Sequence, residues 1–370
     1  MRFFVYILFS LFTLSGQADV FSKRKLLEKI QHPPTWMMEQ IQSDLSPFSS
    51  RDLTEEKMKQ TMHAIAKVPS AGLAQISCIS IKNNTISWSS LTQEKDDNRL
   101  TQLLNFLQEI MQIAPLPNAT FLISGWDCFD RPLYVYEAKC PVFAIGKRRY
   151  NKQTILIPET RTYLYFDNDY YNIARKRGSE FPWGTKKEIA YWRGNTTGGD
   201  YEYYGWDFKP RSEVVLFSKF HPHLVNAKFV GNYCLPQNIE STFNQYGLFD
   251  SYSSQEDQLG YKYLIAIDGN SWPSSLQWQL FSYATILKQE SDFLEYYYNA
   301  LKPYVHYVPY RTDCSDLEEK INWLKSHDAQ AQEIAKNARA FADENISLET
   351  MAAYYYHLIT AYAKVQSSAR

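Results

Sequence analysis

The apolar residues between positions 261 and 309 fall into short runs separated by polar breaks. The run 263–267 has the length of a buried strand, and the turn-forming residues 268–271 end it. Apolar residues then recur at helical spacing over 276–281, and a second apolar run follows at 284–287. Strand, turn, helix and strand make one βαβ unit, which predicts a parallel sheet in this part of the chain.

The loop of this βαβ unit could bind an anion. Its backbone N–H groups and the start of the following helix, which Ser274 or Ser275 could cap, would suit a phosphate. The stretch contains neither a GxGxxG nor a Walker pattern, so its spacing alone favours an ordinary connection without a ligand. A binding function depends on the residues around it.

The rest of the chain continues the alternation of strands and helices. A hairpin is predicted over 76–88, a helix over 100–113 and a strand over 120–124. In the second half, a strand is predicted over 189–192, and the segment that carries Arg211 and Lys219 has the apolar spacing of a helix. The pattern indicates an α/β protein, and 370 residues leave room for about two domains.

Two acidic residues follow the predicted strand 120–124. Asp127 comes just after its carboxyl end, where open α/β sheets place their ligand crevice. A carboxylate there can act as a general base and remove the proton of a hydroxyl nucleophile. Asp127 could equally cap a turn, and Asp130, three residues on, is a rival for the base.

A candidate anion cradle follows the predicted strand 189–192. Arg193, Gly194 and Asn195 lead into a Thr- and Gly-rich loop, and Arg211 could face the same crevice. A guanidinium and the N–H groups of such a loop are typical phosphate ligands. A flexible hairpin explains the same residues without a ligand.

A possible metal site comes from Asp167 and Asp169, which form a DxD pattern after an apolar run. Many sugar-nucleotide transferases hold a divalent metal against a diphosphate with this pattern, because carboxylate oxygens suit hard cations. A three-residue match arises often by chance in a chain with 40 acidic residues. A surface turn is the alternative explanation.

Charge and the N-terminus bear on partners and compartment. The net charge of −1 does not favour nucleic acid or an anionic membrane surface as a partner. Arg2, the apolar residues 3–14 and the small residues at 16–18 predict a signal peptide over 1–18. No segment is long enough to span a bilayer once that peptide is cleaved. We therefore expect export to a periplasm or to the lumen of a secretory pathway.

Several segments of the second half occur in the order known from one protein family. They are YWRG at 191–194, RSEVVLFSKFHPHLVNA at 211–227, YKYLIAIDGNSW at 261–272, LKQES at 287–291 and LKPYVHYVP at 301–309. This set resembles the protein O-glucosyltransferase family, meaning the Rumi and KDEL-motif-containing proteins, to which capsule-synthesis and lipopolysaccharide glycosyltransferases are related. In the first half, LPNATFLISGWD at 116–127 resembles the family segment that ends in its catalytic aspartate.

The resemblance implies a GT-B fold, an α/β architecture in which two Rossmann-like domains face each other across a cleft and C-terminal helices pack back. It implies a division of the chain into consecutive parts. These are the signal peptide 1–18, an N-terminal acceptor-side domain 19–185 with the candidate base, a C-terminal donor domain 186–346 and a returning helix 347–370.

The resemblance also implies an inverting, metal-independent glycosyltransferase. It would move a sugar, glucose or xylose, from a UDP-sugar to a hydroxyl of a protein, a surface glycan or a lipopolysaccharide, with the UDP-sugar as co-substrate and no cofactor. The catalytic base falls on Asp127. The donor contacts fall on Arg193, Gly194, Asn195, Arg211, Gly269, Asn270, Ser271, Trp272, Ser274 and Ser275.

Departures from the family pattern keep two alternatives open. The family's diphosphate loop usually ends in arginine, and that position is Ser275 here; the insertion 196–209 precedes Arg211. The lost arginine leaves the two arginines of the cradle as the main cations for the leaving group. One alternative is therefore a sugar- or nucleotide-binding protein whose catalysis has decayed. The other is a metal-dependent transferase that uses Asp167 and Asp169.

Overall fold

The computed structural model of the chain describes residues 6–7, 22–68, 75–90, 98–159, 169–199, 201, 205–233 and 235–368. Except for residues 6–7, the predicted signal peptide lies outside this description, and so does Asp167. Asp169 is described only as the first residue of a helix.

Strands and helices alternate along the chain, as the apolar pattern predicts. The strands are β1 (Tyr6–Ile7), β2 (Ile76–Lys82), β3 (Thr85–Ser90), β4 (Ala119–Ser124), β5 (Val142–Ala144), β6 (Gly146–Arg148), β7 (Thr154–Leu156), β8 (Lys187–Asn195), β9 (Val225–Gly231), β10 (Tyr261–Ala266), β11 (Thr285–Gln289), β12 (Phe293–Glu295) and β13 (Val308–Tyr310). The α-helices are α1 (Lys23–Gln31), α2 (Thr35–Leu45), α3 (Glu55–Ile65), α4 (Asn98–Ile113), α5 (Pro132–Glu137), α6 (Asp169–Arg177), α7 (Pro210–Phe220), α8 (Gln237–Gln245), α9 (Gln255–Leu259), α10 (Leu276–Gln279), α11 (Leu317–Ser326), α12 (Asp328–Asn345) and α13 (Leu348–Ser367).

The chain divides into two compact units. The first unit consists of Met1–Leu164, Asp292–Ala300 and Ser347–Arg370, and the second of Tyr165–Ser291 and Leu301–Ile346. Each unit is built around its own sheet, which confirms the predicted α/β class. The last helix, α13, packs on α1, α4 and β4, so the C-terminus returns to the first unit as the resemblance implied.

The sheet of the first unit has the strand order β1-β3-β2-β4-β5-β7. The pairs β2–β3 and β2–β4 are antiparallel, whereas β4–β5 and β5–β7 are parallel. Asn83 and Asn84 join β2 to β3 with φ angles of 50° and 57°, the left-handed values that a tight hairpin turn requires and that asparagine tolerates. The predicted hairpin over 76–88 is thus confirmed.

The core of the first unit forms where α13 covers β4. All residues of β4 are buried. The rings of Phe121 and Phe143 stack with centroids 4.6 Å apart, and Tyr362 of α13 meets both rings edge-on. Aromatic pairs of this kind add to the free energy gained by burying their area. This packing fixes the carboxyl end of β4, which Asp127 follows.

The sheet of the second unit has the strand order β13-β11-β10-β8-β9, and its neighbouring strands are parallel. Tyr263 of β10 pairs with Thr285 of β11, so the predicted βαβ unit is present. Residues 262–266 of β10 are buried. Parallel strands covered on both faces read as continuous apolar runs, which is why the sequence reveals this strand.

Helix α10 is shorter than its apolar pattern predicts. It ends at Gln279, although the helical spacing continues to Phe281. The hydroxyl of Ser282 donates to the carbonyl of Gln279 at 2.6 Å, and Tyr283 takes a left-handed φ of 53° that turns the chain toward β11. Local bonds of this kind compete with a further helical turn.

A buried lysine precedes β8. Lys186 is 5% exposed, and its Nζ donates to the carbonyls of Leu259 at 2.6 Å and Ser282 at 3.1 Å. Burial disfavours the ammonium form and lowers the pKa of Lys186 from 10.5 to about 8. A neutral amine can still donate to both carbonyls, so deprotonation need not break these bonds.

We expect Lys186 to make the free energy of unfolding rise as the pH increases from 8 to 10. Below pH 8 both states carry the proton and the folded state bears the full penalty of a buried charge. Above pH 8 the folded state loses the proton that the unfolded state keeps, because its pKa is the lower one. The rise is at most about 1.4 kcal/mol per pH unit.

Chemical unfolding of the wild type and of Lys186→Met at several pH values measures this effect. The free energy of unfolding of the wild type, taken relative to that of Lys186→Met, should increase by about 2 kcal/mol between pH 8 and pH 10. Lys187→Met, which removes the exposed lysine next in the chain, is the control and should run parallel to the wild type. If the unfolding free energies of Lys186→Met and the wild type depended on pH in the same way, the prediction would be contradicted.

Candidate functional site

A pocket of about 390 Å³ opens at the carboxyl ends of the parallel strands of the second unit. Its wall includes the end of β8, Val230 near the end of β9 and Ile267 just after β10. This is the edge at which open α/β sheets bind ligands. Of the predicted donor residues, the pocket brings together Arg193, Gly194, Asn195, Arg211, Ser274 and Ser275.

Arg211 links the ends of two neighbouring strands. Its Nε donates to the carbonyl of Asp268 at 2.9 Å, and its Nη1 donates to the carbonyl of Asn195 at 2.7 Å. Pro210 begins α7 and sets Arg211 in the first turn of that helix. Burial lowers the pKa of Arg211 to about 10, so the guanidinium stays charged at neutral pH. The pocket therefore holds a fixed cation.

The two loops beside Arg211 touch each other closely. A Cβ on Gly269 would lie 2.7 Å from Nη2 of Arg211 and 2.8 Å from the hydroxyl oxygen of Thr197, so a larger residue there would have to displace these side chains. The side-chain oxygen of Asn270 accepts from the N–H of Gly198 at 2.9 Å. The small size of Gly269 lets the loop after β10 approach the loop after β8. The hydrogen bond of Asn270 then holds the two loops together.

Arg193 is held by protein groups. Its Nη2 donates to Asp250 at 2.7 Å and its Nη1 to the side chain of Asn226 at 2.9 Å. Its guanidinium also lies over the ring of Tyr191, 4.5 Å from the centroid. These contacts give Arg193 a structural role, and Asp250 offsets its charge. Its contact with a donor stays a prediction.

The remaining predicted donor residues lie along the turn after β10. Ser271 and Trp272 are buried, and Asn270 and Ser274 are exposed. Ser275 precedes α10 without a side-chain capping bond. Because α10 has only four residues, its dipole is small. The contacts of Ser274 and Ser275 with a donor stay predictions.

Several residues of the pocket wall were missed by the sequence reasoning. They are Tyr252, Ser253, Gln255, Gln258 and Gln279. Most of them belong to the polar segment before β10, for which no element was predicted. No local pattern marks them, and the fold alone brings them to the pocket.

Asp127 lies in the first unit, three residues after β4. Its carboxylate pairs with Arg99 of α4, and Arg99 also approaches Glu159 at 3.5 Å. The carbonyl of Asp127 accepts from the N–H of Gly146 at 2.9 Å. The side chain is 35% exposed, so a substrate can reach a carboxylate that is held in place. The rival Asp130 pairs instead with Arg148 at 3.3 Å.

The alternative metal site, at Asp167 and Asp169, involves side chains outside the described part of the chain. Within the ranges that the structure describes, no group of three or more His, Cys, Asp or Glu side chains is arranged to hold a metal ion. Asp167 lies outside those ranges, and of Asp169 only the helical backbone is described. The DxD interpretation therefore stays a prediction.

A sequence model of glycosyl transferase family 90 matches residues 165–369, more than half of the chain. The chain belongs to glycosyl transferase family 90. The match includes every predicted donor residue and the whole pocket of the second unit. Asp127 precedes the matched range.

This family 90 chain is similar to curated protein O-glucosyltransferases. Protein O-glucosyltransferase 2 of Danio rerio is 28% identical over 351 residues, which are 92% of this chain and 64% of that protein. Protein O-glucosyltransferase 3 of Mus musculus is 31% identical over 204 residues, 54% of this chain and 37% of that protein. The chain thus spans less than two thirds of the length of either relative.

Among solved structures, the chain is similar to Anabaena Alr3699/HepE, which was crystallised in complex with UDP. The sequence identity is 12% and the TM-score 0.40, over 62% of this chain and 66% of that one.

In the part of this family 90 chain that the structure describes, no helix combines the length and hydropathy needed to cross a bilayer.

Proposed function

We propose that this chain is an inverting, metal-independent glycosyltransferase that uses a UDP-sugar. Membership of family 90 and the similarity to protein O-glucosyltransferases support the reaction class and favour glucose as the sugar, with xylose as the alternative. The main support for the donor site is the position of Arg211, a cation that strand-end carbonyls hold in the wall of the pocket. The acceptor is a hydroxyl of a protein, a surface glycan or a lipopolysaccharide, in an exported compartment.

The reaction balances with the residues assigned to it. Asp127 takes the proton of the acceptor hydroxyl, whose oxygen forms a bond to the anomeric carbon. The bond from that carbon to the diphosphate oxygen breaks, and UDP leaves with the electron pair. Arg211 and the hydroxyls of Ser274 and Ser275 stabilise the charge on the diphosphate. Fixed donors of this kind are effective because they need no rearrangement during the reaction.

A non-catalytic nucleotide-binding protein is the second candidate. Two observations favour it: Ser275 stands where the family usually has arginine, and Asp250 offsets the charge of Arg193. Such a protein would bind UDP, but it would not release UDP from a UDP-sugar, whichever acceptor is offered.

We expect UDP to bind without a metal and to depend on Arg211. Loss of charge-assisted hydrogen bonds to the diphosphate in Arg211→Met should weaken UDP binding by roughly 10- to 100-fold. Ser275→Arg should tighten UDP binding, since it restores a cation to the loop. Isothermal titration calorimetry with UDP, in the presence and absence of EDTA, measures both changes.

Lys219→Met, which removes an exposed cation from the same helix α7, is the control and should leave UDP affinity unchanged. Because Arg211 also ties two loops together, the unfolding temperature of Arg211→Met is measured alongside. Ser275→Arg removes no side-chain capping bond of α10 and tests the site even if Arg211→Met is unstable. Failure of the wild type to bind any uridine nucleotide, or binding that EDTA abolishes, would contradict the proposal.

A further inference from the structure

One buried amide in the pocket wall has no hydrogen bonds to the residues that the structure describes. Gln255 lines the pocket and is 5% exposed, yet neither Oε1 nor Nε2 has a partner in the described part of the chain. The backbone at Gln255 is fixed, because Ser254 and Asp257 form a capping box around the start of α9. A buried amide without partners is unfavourable, and a bound group can supply the missing bonds.

The other two glutamine amides of the wall are engaged by the protein, and Asn195, the remaining amide residue of the wall, is exposed. Nε2 of Gln258 donates to the carbonyl of Ser253 at 3.2 Å, and Nε2 of Gln279 donates to the carbonyl of Ile265 at 3.1 Å. Among the buried amides of the described wall, Gln255 is therefore the one whose donor and acceptor are both unpaired.

An aromatic surface lies in the same wall. Tyr252 lines the pocket and is 72% exposed, so one face of its ring can receive a flat heterocycle. Stacking on an aromatic ring is a common way to hold a nucleobase. Arg211 supplies the cation for a phosphate. The wall thus combines a cation, a stacking surface and an unpaired amide, which are the groups that a nucleotide needs.

We propose that the amide of Gln255 binds the edge of uracil that carries N3 and O4. Oε1 accepts the hydrogen of N3, and Nε2 donates to O4, so both unpaired sides of the amide are used. The contact makes the affinity for the nucleotide depend on the hydrogen at N3. This inference rests on the proposed use of a uridine nucleotide and adds the residue that recognises its base.

Binding of UDP and of 3-methyluridine diphosphate to the wild type and to Gln255→Met tests the contact. Methionine keeps the approximate volume of glutamine and removes the amide. The wild type should bind UDP roughly 10- to 100-fold more tightly than the N3-methyl analogue, as expected for a buried hydrogen-bonded pair. Gln255→Met should bind UDP at least about 10-fold more weakly than the wild type and should discriminate between the two ligands by less than about threefold.

Gln258→Met is the matched control, because it removes an amide from the same wall and should keep the discrimination. Equal affinity of the wild type for both ligands would overturn the inference and would leave the donor site standing; this comparison needs no variant to fold. The inference would also be overturned if Gln255→Met still discriminated fully between UDP and the N3-methyl analogue. The same holds if only Gln258→Met lost that discrimination. No UDP binding by the wild type would instead overturn the proposed function.

Discussion

Asp127→Asn is expected to lower the rate of sugar transfer by about 10²- to 10⁴-fold, the usual contribution of a general base. Asparagine has the shape of aspartate but cannot take the proton of an acceptor hydroxyl. Arg99 would keep a hydrogen-bonding partner in the amide oxygen, so the loop after β4 should hold its conformation. UDP affinity should not change, because the donor residues belong to the second unit.

Release of UDP from UDP-glucose and UDP-xylose, first with water and then with candidate acceptors, measures the rate. Asp130→Asn is the control: it removes the rival carboxylate and its pair with Arg148, and it should keep most of the activity. Unchanged turnover in Asp127→Asn would exclude Asp127 as the base. Loss of turnover in Asp130→Asn alone would assign the base to Asp130.

Asp44→Asn should destabilise the first unit by about 3–5 kcal/mol, the typical effect of breaking a buried ion pair. Asp44 and Lys147 are both buried and form a salt bridge. Lys147 also donates to the carbonyl of Thr154 at 3.0 Å, and Asp44 accepts from the N–H of Leu156 at 2.9 Å. The variant leaves the ammonium of Lys147 buried without a counter-charge.

Urea unfolding, followed by a signal from the first unit, measures this loss. Glu55→Gln is the matched control, since its pair with Lys82 is exposed and should contribute less than about 1 kcal/mol. The double variant Asp44→Leu, Lys147→Met should recover most of the loss, because it removes both charges together. A change in Asp44→Asn no larger than that in Glu55→Gln would show that the pair contributes little.

The elements that the sequence predicted correctly are those that local patterns encode. The hairpin over 76–88 follows from alternation and from the Asn83-Asn84 turn, and the helix over 100–113 follows from its apolar spacing. The run 263–267 marked β10 because a parallel strand buried on both faces is apolar throughout. Where local bonding overrode the pattern, at the end of α10, the prediction was too long.

The site was predictable only in part. The sequence singled out Arg211 as a cation, but its bonds to two strand-end carbonyls depend on how β8 and β10 end side by side. Nothing in the polar segment before β10 marked Gln255, because its burial and its unpaired amide are consequences of the fold. A residue's chemistry is local information, whereas its partners are not.

By itself the sequence determined the α/β class, the order of the elements and the family, because periodicity, turn residues and motifs lie within short stretches of chain. Only the tertiary structure decided which charges meet. Arg99 pairs with Asp127 across 28 positions, and Lys147 with Asp44 across 103. Such pairs form because packing brings distant segments together and burial removes the water that would otherwise solvate their charges.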